Sequence, residues 1–375
     1  MKTRRRRKRM ADISKNEVSH VKEPLVRIAK RDQMPLWQSL LVRVLAIVAA
    51  LLFCGILCFV LIDVNPIKFY STMIDGVFGS ERRIWKMIKD LAVLLCISLA
   101  VTPAFKMRFW NIGAEGQVLM SCLASVACVI YFGESLSNGM LLVVMFLAAV
   151  FTGALWAVIP AIFKAKWNTN ETLFTLMMNY IATSLVSYFL IVWVPSGSST
   201  LGELKTGHLP NIYNRYLVLV IVVALVTVAM FIYLKYSKHG YEISVVGESQ
   251  KTACYIGVNV KKVIIRTLIV SGAICGLAGF LIVSALDHSV TTASAGGQGF
   301  TAIMVSWLAK FNPFIMIVTS FLLVFLQQGA DQVASNFGIS NAFPSVITGI
   351  ILFFVIGCEF FINYRLIFRA KEAKK

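Results

Sequence analysis

Uncharged apolar runs long enough to cross about 30 Å of hydrocarbon follow one another along nearly the whole of this chain, from Val44–Ile62 to Gln332–Cys358. Ten such runs occur, the eighth being Ser289–Ala309. The 375 residues are 58% hydrophobic and 14% charged, with a mean hydropathy of +0.77. A soluble domain carries about a quarter charged residues, so the expected fold is an all-α integral membrane protein with about ten transmembrane helices. The reading divides into a basic tail over residues 1–37, a membrane domain over 38–364 with a polar connector at 235–266, and a second basic tail over 365–375.

The net charge of +18 does not mark a nucleic-acid partner, because of where it sits. Residues 1–31 hold 12 Lys/Arg against 3 Asp/Glu, and Arg4–Arg9 is an unbroken basic hexamer. Such an arm is a positive-inside tag that touches anionic membrane lipid. If the amino terminus is cytoplasmic and all ten runs cross, 29 of the 36 basic residues fall on the cytoplasmic side, and both termini lie there. Two places strain this topology. Segment 68–89 puts Arg82, Arg83, Lys86 and Lys89 outside, where an amphipathic interfacial helix is expected. The eighth run contains Ser294-Ala-Gly-Gly-Gln-Gly299, which interrupts a helix and makes it the weakest span.

Catalytic and metal-binding patterns are missing from the sequence. Seven of the eight cysteines lie in apolar runs, where Cys acts as a small hydrophobe, and Cys254 sits in the basic connector; no disulfide or metal site is expected. There is no H-E-x-x-H and no adjacent acidic pair of the kind that holds magnesium diphosphate, and the four His fall in loops or the tail. No cofactor is expected in this chain, and it does not read as an enzyme.

The most informative polar cluster is Asn111-Ile-Gly113-Ala-Glu115-Gly116-Gln117, set between the second and third apolar runs. A carboxylate near mid-bilayer costs about 2.5–3.5 kcal/mol on insertion scales, so it faces protein or water and something uses it. Gly113 and Gly116 allow a broken helix, whose freed backbone groups are tolerated only in a cavity or buried in protein. Two readings stay open: Asn111 and Glu115 cap and brace the break, or Asn111, Glu115 and Gln117 line a translocation path with Asn179 and Gln298. Asn179 belongs to a stripe with Thr175, Thr183 and Ser187 at helical spacing, which faces other helices or water. Gly272, Gly276 and Gly279 read as helix-packing positions. In the connector, Glu248 to Ile256 is expected to form a short helix ended by Gly257 in a left-handed position. Gly247-Glu-Ser-Gln-Lys-Thr252 lacks the spacing of a phosphate loop, so no nucleotide hydrolysis by this chain is expected.

Four segments appear in a telling order: Phe109–Gln117, Asn170–Ile181, Val246–Asn259, and Gly299–Leu308 followed by Asn312-Pro313. Together they resemble bacterial ABC importer permeases of the ribose and branched-chain amino acid permease superfamily. Within it they are most similar to the nucleoside branch that works with basic-membrane-protein-like lipoproteins. The resemblance covers roughly residues 40–365. It implies a type II ABC importer-like permease subunit in the bacterial cell membrane, moving nucleosides by alternating access. Implied partners are a second related permease, two ATPase subunits that carry ATP and Mg, and an extracytoplasmic substrate-binding lipoprotein. By the same resemblance Val246, Gly247, Glu248, Ala253 and Gly257 form the segment coupled to the ATPase. The chain departs from the usual pattern at Glu248–Cys254, where relatives commonly show Asn after the acidic residue and an Ala pair. A ribose-like sugar remains an alternative solute, and an ion-driven secondary transporter with Glu115 and Glu171 as ion sites remains an alternative class.

Overall fold

A computed structural model of the chain describes residues 26–31, 34–62, 65–194, 201–210, 214–340 and 342–368. Most of the basic hexamer's tail, residues 195–200 and 211–213, and residues 369–375 of the second tail lie outside the described residues. The described residues fall into two compact units, one spanning 67–345 and the other formed by the segments up to Pro66 and from Val346.

The smaller unit contains β1 (Val26–Lys30), α1 (Leu36–Ile62), most of α13 (Phe343–Asn363) and β2 (Tyr364–Phe368). β1 and β2 pair antiparallel, Val26 opposite Phe368 and Lys30 opposite Tyr364. An isolated two-stranded ribbon is marginal by itself. Here Arg31 N–H donates to the Asn363 carbonyl at 2.9 Å, and Arg43 pairs with Glu359 across the two helices. The start of α1 and the end of α13 therefore sit side by side. The ribbon is a small departure from an all-helical chain.

The larger unit holds α2 (Pro66–Phe78), α3 (Glu81–Lys106), α4 (Ala114–Phe132), α5 (Asn138–Trp167), α6 (Glu171–Trp193) and α7 (Leu217–Tyr236). It continues with α8 (Lys238–Glu248), α9 (Gln250–Tyr255), α10 (Val260–Leu281) with a π-helical extension to Asp287, α11 (Gln298–Leu308) and α12 (Pro313–Phe337). Side-chain caps start many of these helices. Asn170 accepts from Thr172 and Leu173 N–H, Asn259 from Lys262 N–H, and Asn312 from Phe314 N–H ahead of Pro313. Three helices form the centre: 78% of the apolar window of α3 is buried, 72% of α10 with its extension and 61% of α4, against 22% for α5 and 28% for α7. In a medium as apolar as the side chains, close backbone approach holds such a centre together. A Cβ on Gly272 would lie 2.6 Å from the Ala157 Cβ, one on Gly276 2.7 Å from the Val150 Cα, and one on Gly279 2.7 Å from the Ser121 Cβ. These three glycines are where α10 meets α5 and α4.

Two sequence expectations change. Segment 68–89 is not one interfacial helix: Ser80 caps a new helix through Arg83 N–H, so Arg82, Arg83, Lys86 and Lys89 belong to the first turns of α3. The ten expected spans become nine continuous candidate helices among the described residues, because the eighth run is not one helix. Its first part is irregular, with Gly296 and Gly297 at φ +58° and +71°, and only the 11 residues of α11 are helical. That helix is about 16 Å long, roughly half the hydrocarbon thickness. The run still passes from one end of the bundle to the other. At one end, the His288 carbonyl accepts from Leu204 N–H at 2.8 Å and the Ser284 carbonyl from Leu209 N–H at 3.0 Å, in the loop after α6. At the other, Ser306 meets Thr102 near the end of α3 at 3.0 Å. The eighth crossing is an interrupted one.

Candidate functional site

Between α3 and α4 the chain leaves helical geometry for seven residues, and Arg108 takes a left-handed φ of +59°. Helix ends free N–H and C=O groups that need partners when no water is available. Side chains from other helices supply them. Asn179 of α6 accepts from Gly116 N–H at 2.9 Å and donates to the Ile112 carbonyl at 3.0 Å, and the Thr175 hydroxyl accepts from Ile112 N–H at 3.2 Å. Asn111 is fully buried; its oxygen accepts from Gly113 N–H at 3.1 Å and from the Gln117 amide at 3.3 Å, while its own amide donates to Ser271 of α10 at 3.5 Å. The break is a polar knot that ties α4, α6 and α10.

Glu115 reaches the interrupted crossing. Its two carboxylate oxygens accept from Gly297 N–H and Gly299 N–H, each at 2.8 Å, at the start of α11. A carboxylate on paired N–H groups at a helix start is favoured by hydrogen bonding and by the helix dipole together. Gly299 has to be glycine, since a Cβ there would lie 2.6 Å from Glu115 N and 2.8 Å from its carboxylate. Gln298 sits between the two donors, and its side-chain oxygen, like that of Gln117, is buried with no protein partner. Asn111, Glu115, Gln117, Asn179 and Gln298 are thus gathered at one level of the bundle. In the sequence Glu115 stands near the start of its own helix; in the structure it caps another. The Gly-Gly-Gln-Gly run at 296–299 was the available signal. Glu115→Gln keeps one acceptor but turns an amide towards the second N–H; at about 1–3 kcal/mol for a buried unsatisfied donor, it is expected to lower the thermal unfolding midpoint in detergent and slow uptake several-fold.

The connector carries two helices. α9 ends as expected, with Gly257 at φ +83°, but it does not begin at Glu248: that residue closes α8, which starts at a Ser237 cap, and Ser249 caps a new helix from Gln250. Val246 and Ala253 are buried in one apolar cluster with Met107, Phe109, Val263, Ile264 and Leu268. Gly247 lies directly on the backbone carbonyl of Lys106, the last residue of α3. Glu242 accepts from Arg266 of α10 at 2.6 Å, and that hydrogen bond holds its carboxyl below the usual range. The outward side is bare: Glu248, Cys254, Ile256 and Tyr255 are exposed, the last by 91%. An exposed apolar tip is thereby braced on the end of α3, five residues before Asn111 of the knot.

Over residues 84–356 the sequence matches the family described as branched-chain amino acid transport system / permease component. The chain belongs to that permease family. It is 28% identical to a glucose ABC transporter permease protein of Haloferax volcanii over 358 residues, covering 91% of this chain and 93% of the relative. A guanosine ABC transporter permease protein of Bacillus subtilis is 29% identical over 327 residues, 84% of this chain and 92% of the relative. A nucleoside ABC transporter permease protein of Lactococcus lactis is 26% identical over 357 residues, 90% and 97% of the two chains. The protein is a multi-pass membrane permease of the ABC transporter class, and that membership sets aside the ion-driven alternative. The interrupted crossing lies wholly inside the matched region.

Proposed function

We propose that this permease imports nucleosides. Two of the three relatives above are described by that solute class, and this observation carries the reading. The knot is consistent with it: Glu115 is engaged by two backbone N–H groups, so the polar groups left over are neutral amides and hydroxyls, suited to an uncharged, hydroxyl-bearing solute. A glucose-like sugar has the same character, and the Haloferax relative favours that second reading. Asn111, Gln117, Asn179 and Gln298 are proposed to line the path, with Glu115 bracing it. The connector is proposed to couple through Val246, Gly247, Glu248, Ala253 and Gly257 to ATPase subunits that bind ATP and Mg. A second related permease and an extracytoplasmic binding lipoprotein complete the proposed assembly.

Placing the connector end in the cytoplasm puts Lys106, Arg108, Lys164, Lys166 and the connector's cations inside, as the positive-inside rule favours. Among the described residues, nine continuous helices and one interrupted crossing make an even count, and the β1–β2 pair sets Val26–Lys30 beside Tyr364–Phe368. Both observations support cytoplasmic termini in a bacterial plasma membrane. The solute is tested by deleting this permease from cells that take up both labelled guanosine and labelled glucose: guanosine uptake should be lost and glucose uptake should remain. Loss of glucose uptake with guanosine uptake intact would replace the nucleoside reading with the sugar one.

A further inference from the structure

At the connector end, a cleft of about 500 Å³ opens between α8 and the ends of α3 and α11. Its bundle-side wall is aromatic. Trp110 and Trp307 lie nearly parallel, with ring centroids 5.6 Å apart and 25° between planes, and Phe105 and Phe311 close the group edge-on. Both indoles line the cleft and are 47% and 45% exposed, at a bundle end among cations. Lys106 and Arg108 line the same cleft, with Glu248 as its carboxylate, while Ser244 and Gly247 form the α8 wall. Arg108 is exposed, and Lys106 donates to the Leu234 carbonyl at 3.3 Å. The backbone here is unusual for residues with a Cβ: Arg108, Lys310 and Phe311 have φ of +59°, +50° and +62°. Conformations of this kind cost energy and concentrate at functional sites.

Exposed indole faces stack on planar heteroaromatic rings with little regard to which ring it is, and a guanidinium beside them matches a phosphate in two-point hydrogen bonding. The volume suits a ligand of a few tens of atoms. From the stacked Trp110–Trp307 pair beside Lys106 and Arg108 we infer a second, inward-facing site for a nucleoside monophosphate, distinct from the polar knot. The inference rests on the nucleoside reading, since it takes the ligand to be the anionic counterpart of the imported solute. A molecule seated there touches α8 on one side and the ends of α3 and α11 on the other. It therefore opposes movement of the connector against the bundle and acts as a brake on import when the nucleoside, once phosphorylated inside the cell, has accumulated as its monophosphate. Glu248 belongs both to the cleft and to the segment proposed to couple to the ATPase, and the exposed Tyr255–Ile256 tip lies beyond it on the connector.

The test uses the complete transporter in sealed vesicles with ATP inside, guanosine uptake as readout, and GMP as the internal probe. Internal GMP is expected to slow uptake at least tenfold more effectively than equal guanosine, which lacks the phosphate, or ribose 5-phosphate, which lacks the ring. Arg108→Ala and, separately, Trp307→Leu should each remove most of the GMP effect, read as the ratio of uptake with and without GMP in the same variant. Binding of labelled GMP to the permease in nanodiscs is the second readout and should weaken at least tenfold in both variants. If guanosine uptake proceeds and GMP neither slows it nor binds, the inference is overturned while the nucleoside reading stands. GMP that binds the isolated permease but has no effect on the complete transporter would show the cleft to be covered by the ATPase, and would overturn the brake. If guanosine is not taken up at all, the nucleoside reading itself fails.

Discussion

Gly247→Val is expected to abolish most solute uptake while leaving the permease folded and inserted. Gly247 is the point where α8 rests on the last carbonyl of α3, and any Cβ there runs into the Lys106 backbone. Helical backbone on both sides cannot give way as a side-chain tip would. Overpacking of this kind costs about 1–3 kcal/mol, and α8 relieves it by lifting from the bundle, because its outward side is open. Lifting loosens the backbone contact of α8 on Lys106 and the packing of Val246 on Met107 and Phe109, through which connector movement reaches the break at 107–113. Uptake should fall at least about tenfold, the equivalent of 1.4 kcal/mol, while ATP hydrolysis by the assembled transporter continues. Gly139→Ala is the control, since a Cβ there meets nothing within 4 Å. Uptake of Gly247→Val within twofold of the parent would mean that the connector does not act through α3.

The second large effect is on the knot. Asn179→Leu is close in volume, yet it strips the partners from Gly116 N–H and the Ile112 carbonyl, both held inside the bundle. Each buried orphan costs about 1–3 kcal/mol, so a loss of about 2–6 kcal/mol is expected, read as a marked fall in the unfolding midpoint of the purified permease. Thr183→Val, one turn along the same helix, is the comparison. That hydroxyl donates only to the Asn179 carbonyl of its own helix at 3.1 Å, and its loss should cost less than about 1 kcal/mol. Equal effects at the two positions would show that the stripe on α6 is uniformly structural and that the break has no special dependence on Asn179.

The spans were legible because lipid demands long apolar helices and the sequence supplies them in unbroken runs. The eighth run shows the limit of that logic. Hydropathy counts Gly296, Gly297 and Gly299 as permissive, whereas the backbone uses them to leave and re-enter helix beside Glu115. α8 escaped notice because Lys238–Glu248 mixes charge with few apolar residues; its Ser237 cap and the buried pair Ile243 and Val246 form it against the bundle. The polar cluster at 111–117 announced a break, but nothing local could show its partners. Asn179 lies 63 residues away and Gly297 182 residues away. The strand pair is less legible still, since β1 and β2 are five residues each and meet only after the entire membrane region has intervened.

In the proposed assembly, ATP hydrolysis on partner subunits drives this chain through its connector. Vesicles holding the permease and its proposed ATPase, permease and lipoprotein partners should accumulate labelled guanosine above the external concentration when ATP is inside, and should only equilibrate or exclude it with a non-hydrolysable analogue. Accumulation by vesicles that contain the permease without any ATPase would contradict the claim outright.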